Sequence, residues 1–86
     1  GQLAAGIESQ TTQCLDNIEG LLAEADARMD QIIRATVWLT DMSNFGAFNA
    51  VYGARFGDSP PVRSTVCSGL ALPGALIEIE VTAYAP

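Results

Sequence analysis

One arginine and two glutamates are the residues of this 86-residue chain whose types and spacing best suit chemistry. Arg63 lies in the first of two strand-like runs, and Glu78 and Glu80 lie in the second. Because side chains alternate along a strand, both carboxylates are expected on one face, opposite Ile77 and Ile79. A guanidinium and two carboxylates on neighbouring strands would form either a structural ion pair or a cradle for a small anionic substrate.

The two runs are separated by residues that are typical of a turn. Leu72-Pro73-Gly74 interrupts the apolar pattern, and Val, Thr and Ile are frequent on both sides of the break. Such a sequence predicts a β-hairpin or a pair of neighbouring strands. From this periodicity alone, an ion pair within the sheet is the favoured role of Arg63, and Glu80 is a better structural partner for it than Glu78.

Charge and composition exclude several classes of function. The chain has a net charge of −6, four basic residues and no basic cluster, which argues against binding to nucleic acid or to an anionic membrane. It contains no histidine, so a histidine-based catalytic triad is excluded, and no metal site is expected. The length predicts one domain, residues 1–86, whose small core would be supplemented by association between subunits.

The two cysteines, Cys14 and Cys67, lie far apart and do not form a CxxC pair. Two free thiols are the simplest interpretation, and they predict a reducing, cytoplasmic location. Cys14 falls on the apolar side of a helical pattern, so it is expected to be a small core residue rather than a nucleophile.

Three further segments must position the charged residues. Apolar residues recur at helical spacing from Ile7 to Ala25, and Asp26 is placed to end this helix in the left-handed region. Gln31–Thr40 has the β-branched content of a strand, and Phe45–Phe56 predicts a second helix. This order predicts an α+β fold in which two helices pack on one face of a sheet.

The two faces of the first predicted strand differ. One face suits packing against helices and carries Ile33, Ala35, Val37 and Leu39. The other face carries Trp38. A large aromatic side chain on the side away from the helices indicates either that another subunit covers that side or that a loop covers the tryptophan.

The second helix is expected to be capped by Ser43 or Asn44 and to carry an aromatic stripe. The stripe comprises Phe45, Phe48, Tyr52 and Phe56. Asn49 lies within it and is expected to be hydrogen-bonded. The favoured partner is a neighbouring loop, and the alternative is a substrate.

The motifs around Arg63 and Glu78 resemble those of the reactive-intermediate deaminase family, RidA/YjgF. The strongest similarity comprises Pro61-Val62-Arg63-Ser64, Gly69, Leu72-Pro73 and Ile77-Glu78-Ile79-Glu80. Further similarity covers Gln10 to Ile18, Thr36 to Met42 and Phe45 to Tyr52, and Gly1-Gln2-Leu3 resembles the end of the family's Ser-Gly-Gln strand. The chain differs from the family in four respects: Thr65 stands where many members have a cysteine, Val62 replaces a common alanine, the loop between Gln2-Leu3 and the first helix is shorter than usual, and the family's N-terminal strands have no counterpart.

The resemblance implies a chorismate-mutase-like α+β subunit without its N-terminal strands, assembled as a homotrimer with sites at the subunit interfaces. It implies hydrolysis of enamines and imines, such as 2-aminoacrylate, 2-iminopropanoate and 2-iminobutanoate, to 2-keto acids and ammonia without a cofactor. Arg63 would bind the substrate carboxylate, and Glu78 would hold water and move protons. Thr65, Asn49 and backbone groups of Gly1 would contact substrate or water. These roles then outweigh a structural ion pair.

Two other functions are compatible with the same residues. A trimer that binds small carboxylates without catalysis, as a sensor or regulatory protein, would need Arg63 but not Glu78. RNA cleavage, an activity ascribed to some relatives, is disfavoured by the acidic charge and the lack of histidine. The preferred prediction is an enzyme, a 2-iminobutanoate/2-iminopropanoate deaminase-type hydrolase that removes reactive products of pyridoxal-phosphate enzymes.

Overall fold

Within residues 4–84, three β-strands form one mixed sheet, and two α-helices pack on one of its faces. The computed structural model describes residues 4–84, and its elements follow in the order α1 (Gly6–Glu24), β1 (Ile32–Leu39), α2 (Phe45–Phe56), β2 (Val62–Cys67) and β3 (Ile77–Ala83). Short 3-10 turns, Met29–Gln31 and Met42–Asn44, precede β1 and α2. This architecture confirms the predicted α+β layout. Within residues 4–84, neither helix combines the length and the apolar composition that crossing a lipid bilayer requires.

The strand order is β2-β1-β3, so β1 lies at the centre of the sheet. It pairs in parallel with β2 and antiparallel with β3. The prediction that β2 and β3 form a hairpin or are neighbours is therefore wrong. A turn does form at Leu72, whose carbonyl accepts a hydrogen bond from the Ala75 N–H at 3.1 Å. However, the whole connection, residues 68–76, is nine residues long, which is enough to carry the chain past the end of β1.

The core lies between β1 and the helices. It consists of apolar side chains on one face of the sheet and of aromatic side chains from α2: Ala35, Val37, Leu39, Phe48, Tyr52 and Ile77. Partners across the sheet share a face, so Ile77 and Ile79 of β3 join Leu39 and Val37 of β1 against the helices. The buried face of β1 therefore requires a neighbouring strand on both sides.

The start of β1 departs from the predicted alternation. Ile33 was expected on the helix-covered face, but it is 56% exposed, whereas Ile32 is buried. The register between β1 and β3 shifts between Ile32 and Arg34, as in a β-bulge. This extra residue moves the buried position by one and leaves Ile33 outside the core.

The end of α1 is confirmed at Asp26, whose φ of 57° lies in the left-handed region. The Ala27 N–H donates to the Leu22 carbonyl at 2.8 Å, and the Asp26 N–H donates to the Ala23 carbonyl at 3.1 Å. These are the two hydrogen bonds of a Schellman motif, which satisfies the last carbonyls of a helix. The motif turns the chain towards β1.

The start of α2 agrees with the prediction in position but not in its capping hydrogen bond. The Asp41 carboxylate accepts a hydrogen bond from the Ser43 N–H at 2.9 Å, which lowers the pKa of Asp41. Asn44 occupies the N-cap position of α2, but its side chain makes no capping hydrogen bond. Asn44 is therefore the N-cap residue, as one of the two predicted alternatives has it, but a side-chain cap at Ser43 or Asn44 does not form, because a 3-10 turn intervenes and Asp41 caps that turn.

The buried side chain of Gln10 connects α1 to the loop that precedes β3. Its Nε2 donates to the carbonyls of Ala4 (3.1 Å) and Gly74 (3.0 Å), and its Oε1 accepts from the Leu76 N–H at 2.8 Å. Gln10 is 5% exposed, so these bonds satisfy its amide inside the protein. The loop 68–76 is thereby fixed where it enters β3.

Replacing Gln10 with leucine keeps a side chain of similar size but leaves three backbone groups without this partner. We expect the free energy of unfolding to fall by about 2–4 kcal/mol, since each buried unpaired group costs roughly 1–3 kcal/mol. Urea denaturation measures the change. The control is Thr12→Ala, at an exposed position of the same helix, which should change stability by less than about 0.5 kcal/mol. An equally small loss in Gln10→Leu would show that the amide does not stabilise the loop.

Candidate functional site

Arg63 extends from β2 onto the face of the sheet that the helices cover. It pairs in register with Ala35, which is buried on that face. Its Cζ lies 5.4, 5.3 and 4.8 Å from the ring centroids of Phe45, Phe48 and Tyr52. Cation–π contacts of this kind attract the guanidinium without neutralising its charge.

Asn49 holds the guanidinium from α2. Its Oδ1 accepts a hydrogen bond from Arg63 Nη1 at 2.7 Å. The expectation that Asn49 is buried and bonds a loop is wrong, because residue 49 is exposed and its partner is Arg63. Position 49 falls at the margin of the aromatic stripe rather than within it. The amide therefore orients the arginine and leaves its other N–H groups available.

Arg63 has no carboxylate partner among residues 4–84. The ion pairs there join Arg28 to Asp30 and Arg55 to Asp16 and Glu19. The predicted structural pair of Arg63 with Glu78 or Glu80 is therefore wrong. Its physical reason is the strand order: β1 lies between the two charged strands, and the glutamates pair with Trp38 and Thr36 on the other face. Arg63 is left as a half-buried cation without a counter-charge in this part of the chain.

A cleft of about 400 Å³ opens beside Arg63. It is lined by Asn49, Tyr52, Gly53, Gly57, Pro60, Pro61 and Arg63. The volume suits a small molecule, and the positive charge suits an anion. Thr65 follows on the same face of β2, in register with Val37, and is half-buried. The structure thus brings Arg63 and Asn49 into contact and places Thr65 on the same face of the sheet.

Tyr52 is a residue of this cleft that the sequence pattern did not single out. It is 3% exposed, and its hydroxyl oxygen is buried without a hydrogen-bond partner among the described residues. Burial raises the pKa of the Tyr52 hydroxyl, and the positive charge of Arg63 opposes that rise. The sequence does carry a signal for it: Tyr52 is the one hydroxyl in a stripe whose other members are phenylalanines.

Glu78 lies in a different cleft from Arg63. It is exposed on β3 and borders a cleft of about 450 Å³ whose walls include Cys14, Ile18 and Leu72. The two predicted catalytic residues of one chain are therefore not brought together. Gly1, the last of the predicted site residues, lies outside the described residues.

Cys14 is a weak nucleophile in this environment. Burial raises the pKa of its thiol, and the negative charge of Glu78 raises it further. Cys67 is exposed. With iodoacetamide at pH 8, we expect Cys67 to be alkylated first and Cys14 mainly after unfolding, because the thiolate is the reactive form. Mass spectrometry of the two peptides measures the order, and faster alkylation of Cys14 in the native protein would contradict it.

Asn49→Asp should convert the hydrogen bond with Arg63 into an ion pair. We expect the free energy of unfolding at pH 7 to rise by about 0.5–1 kcal/mol, as for a pair near the surface. Arg63 would lower the pKa of the new carboxylate, so the gain is present above its usual pKa of about 3.9 and is lost as the pH falls through the lowered value.

Denaturation at pH 7 and at strongly acidic pH measures this gain. The control is Asn17→Asp, which adds the same charge at an exposed position of α1 and should give no gain. A destabilised Asn49→Asp protein at pH 7 would contradict the contact with Arg63.

Known proteins are similar to this chain in both sequence and fold. The sequence model of the family described as Endoribonuclease L-PSP matches residues 1–85. A RutC family protein of Pyrococcus horikoshii is 40% identical over 85 residues, which cover 98% of this chain and 68% of that protein. A solved YjgF/UK114-family structure from Mycobacterium tuberculosis has a TM-score of 0.91 at 34% identity, covering 95% of this chain and 70% of that one.

A Rid family protein of unknown function from Yersinia pestis gives a TM-score of 0.90 at 37% identity, covering 99% of this chain and 68% of that one. The chain thus spans about two thirds of the length of these relatives. The structural neighbours have a chorismate-mutase-like fold, which confirms the predicted fold class. By sequence and by fold, the chain belongs to the RidA/YjgF family, the family of the Endoribonuclease L-PSP sequence model.

Proposed function

We propose that the protein is a cofactor-independent deaminase that hydrolyses reactive enamines and imines, including 2-aminoacrylate, 2-iminopropanoate and 2-iminobutanoate. The observation that carries this proposal is the guanidinium of Arg63, which has an amide partner but no carboxylate partner within residues 4–84. An arginine held in this way in a cleft is suited to bind the carboxylate of a small acid. Membership of the RidA/YjgF family supports the proposal.

Arg63 anchors the substrate. Its Nη1 donates to Asn49, so the other guanidinium N–H groups remain for the ligand. A carboxylate that accepts two of them is fixed in the plane of the guanidinium, which also orients the attached C=N group. The aromatic rings on one side exclude water and thereby strengthen the charge interaction. Thr65, on the same face of β2, hydrogen-bonds water or substrate.

Glu78 activates the water and moves the protons. As the water oxygen attacks the imine carbon, one water proton passes to the Glu78 carboxylate and the C=N electron pair moves to nitrogen. Glu78 then gives that proton to the nitrogen. In the second step the new hydroxyl proton moves by the same route to the amine, and ammonia leaves as the C=O bond forms. One imine and one water therefore give one 2-keto acid and one ammonia.

No covalent intermediate is needed, because the imine carbon is already electrophilic towards water. Thr65 is a poor nucleophile without a base, so it acts only through its hydrogen bonds. The enamine 2-aminoacrylate enters the same route after one proton is added to its carbon atom C3 and one is lost from its nitrogen, which gives 2-iminopropanoate.

Each site is shared between two subunits in this proposal. Arg63 and Glu78 of one chain lie on opposite faces of the sheet, and their strands are two spacings, about 10 Å, apart. We therefore infer a homotrimer in which Arg63 of one subunit faces Glu78 of the partner subunit. Val62 and Val66 are 66% and 43% exposed on the face away from the helices, where Trp38 also lies. This apolar surface is suited to an interface.

Decay of freshly generated 2-aminoacrylate and 2-iminobutanoate, followed by release of the keto acid, tests the activity. The wild-type protein should accelerate it. Arg63→Ala should lower kcat/KM by about 100-fold, since it removes charge-assisted hydrogen bonds worth roughly 1.5–3 kcal/mol each. The control is Arg28→Ala, which removes an exposed arginine paired with Asp30 and should keep full activity. The deaminase proposal fails if the folded wild-type oligomer gives no acceleration.

Mixed oligomers test whether the site is shared. Pure Arg63→Ala and pure Glu78→Gln oligomers are each expected to be inactive. If the two residues of a site come from different subunits, refolding the variants together at a ratio of 1:1 restores about a quarter of the wild-type activity, because one interface in four then has both residues intact. Activity that stays at the level of the pure variants would contradict the shared site.

A non-catalytic protein that binds small carboxylates is the second candidate function. The observation in its favour is the position of Glu78, which is exposed and borders a separate cleft in one chain. Binding of 2-oxobutanoate that depends on Arg63, together with no acceleration of imine hydrolysis, would select this function over the deaminase.

A further inference from the structure

The hydroxyl group of Tyr52 has no role in the fold or in the chemistry described above. Its oxygen is buried, and it has no hydrogen-bond partner within residues 4–84. The residue as a whole is 3% exposed. Buried hydroxyl groups are nearly always hydrogen-bonded, because an unpaired one destabilises the folded state. Tyr52 lines a cleft, but its oxygen itself is covered, so a ligand or an ordered water molecule would reach the unpaired hydroxyl after a small shift of the side chains that cover it.

The position of Tyr52 relative to Arg63 favours a ligand. Arg63 Cζ lies 4.8 Å from the centroid of the Tyr52 ring, and both side chains line the cleft of about 400 Å³. The charge of the guanidinium influences the hydroxyl, since it opposes the effect of burial on the Tyr52 pKa. An anion bound to Arg63 in this cleft would consequently lie beside Tyr52.

We propose that Tyr52 Oη donates a hydrogen bond to a carboxylate oxygen of the acid that Arg63 binds, so that the two side chains together form the carboxylate-binding site. The inference rests on the proposed function, since it takes the ligand to be a 2-imino or 2-keto acid. It adds a specificity-determining residue to the site. A carboxylate offers an acceptor to both donors, whereas a primary amide places its own N–H₂ donor opposite one of them.

The chemistry of the phenol suits this role. Burial raises the pKa of the Tyr52 hydroxyl, so the group remains protonated, and hence a donor, at neutral pH. Phenylalanine would fill the same space and stack with its neighbours, as it does at positions 45, 48 and 56. The hydroxyl is thus the part of Tyr52 that packing does not require.

Tyr52→Phe removes the hydroxyl and keeps the ring beside Arg63. We expect binding of 2-oxobutanoate, measured by isothermal titration calorimetry, to weaken by about 10- to 100-fold. KM for 2-iminobutanoate should rise similarly while kcat changes by less than about threefold, because Tyr52 contacts the carboxylate rather than the reacting carbon. Discrimination between 2-oxobutanoate and its primary amide should fall. The matched control is Tyr84→Phe at an exposed tyrosine, which should keep the wild-type affinity.

Thermal unfolding of the ligand-free variant gives a second readout. Loss of an unpaired hydroxyl should leave the Tm unchanged or raise it, whereas loss of a hydroxyl bonded to a buried water should lower the Tm and leave affinity unchanged. Wild-type affinity in Tyr52→Phe would overturn this inference alone. Failure of the wild-type protein both to bind 2-oxobutanoate and to hydrolyse imines would overturn the proposed function and this inference with it.

Discussion

The backbone hydrogen bonds of β1 run along both of its edges, in parallel to β2 and antiparallel to β3. Its side chains at Ala35, Val37 and Leu39 are fully buried against the helices. Moving this strand to an edge of the sheet would expose apolar surface, so its central position fixes β2 and β3 on either side of it. The charged residues of those two strands are held apart for the same reason. The arrangement of Arg63 and Glu78 thus follows from backbone pairing, not from attraction between their charges.

A guanidinium without a carboxylate partner in a half-buried position is unfavourable by itself, because it loses part of its hydration. The rings of Phe45, Phe48 and Tyr52 and the amide of Asn49 replace part of that hydration. They do not supply a negative charge, so an anionic ligand can provide the counter-charge that Arg63 lacks among residues 4–84. The unpaired hydroxyl of Tyr52 likewise destabilises the ligand-free protein and is left for a ligand to satisfy. The groups that would bind a ligand in this cleft therefore lower the stability of the protein without it.

Local signals made much of the fold predictable. The spacing of aromatic residues set the bounds of α2, and Asp26 marked the end of α1, because both depend on residues within a few positions of each other. The charged run of β3 also showed which residues share a face. It did not show which strand they meet, because pairing depends on residues distant in sequence. The bulge at Ile32 depends on a shift of one residue that composition does not record.

The candidate site was predictable to a similar degree. The sequence singled out Arg63 and Asn49, which the structure brings into contact, and their roles with a substrate remain predictions. It did not show that Arg63 and Glu78 lie apart, because it predicted that their strands are neighbours, whereas β1 lies between them. Tyr52 was assigned to the core on its spacing, which is correct for the ring. Spacing says nothing about where a hydroxyl finds a partner, so this polar group emerged only from the packed structure.

The central place of β1 also bears on how a newly made chain reaches this fold. Its pairing of Arg34 with Val62 joins residues 28 positions apart, and that of Ile32 with Ala83 joins residues 51 apart. Such pairings form slowly, since long loops must close first. Because synthesis proceeds from the N-terminus, β1 is made well before β3, and the backbone groups on the edge that pairs with β3 are unpaired in the interval. An open edge of this kind attracts strands of other chains and promotes aggregation. Pairing with the strand that carries Glu78 therefore also ends this exposure once that strand has been made.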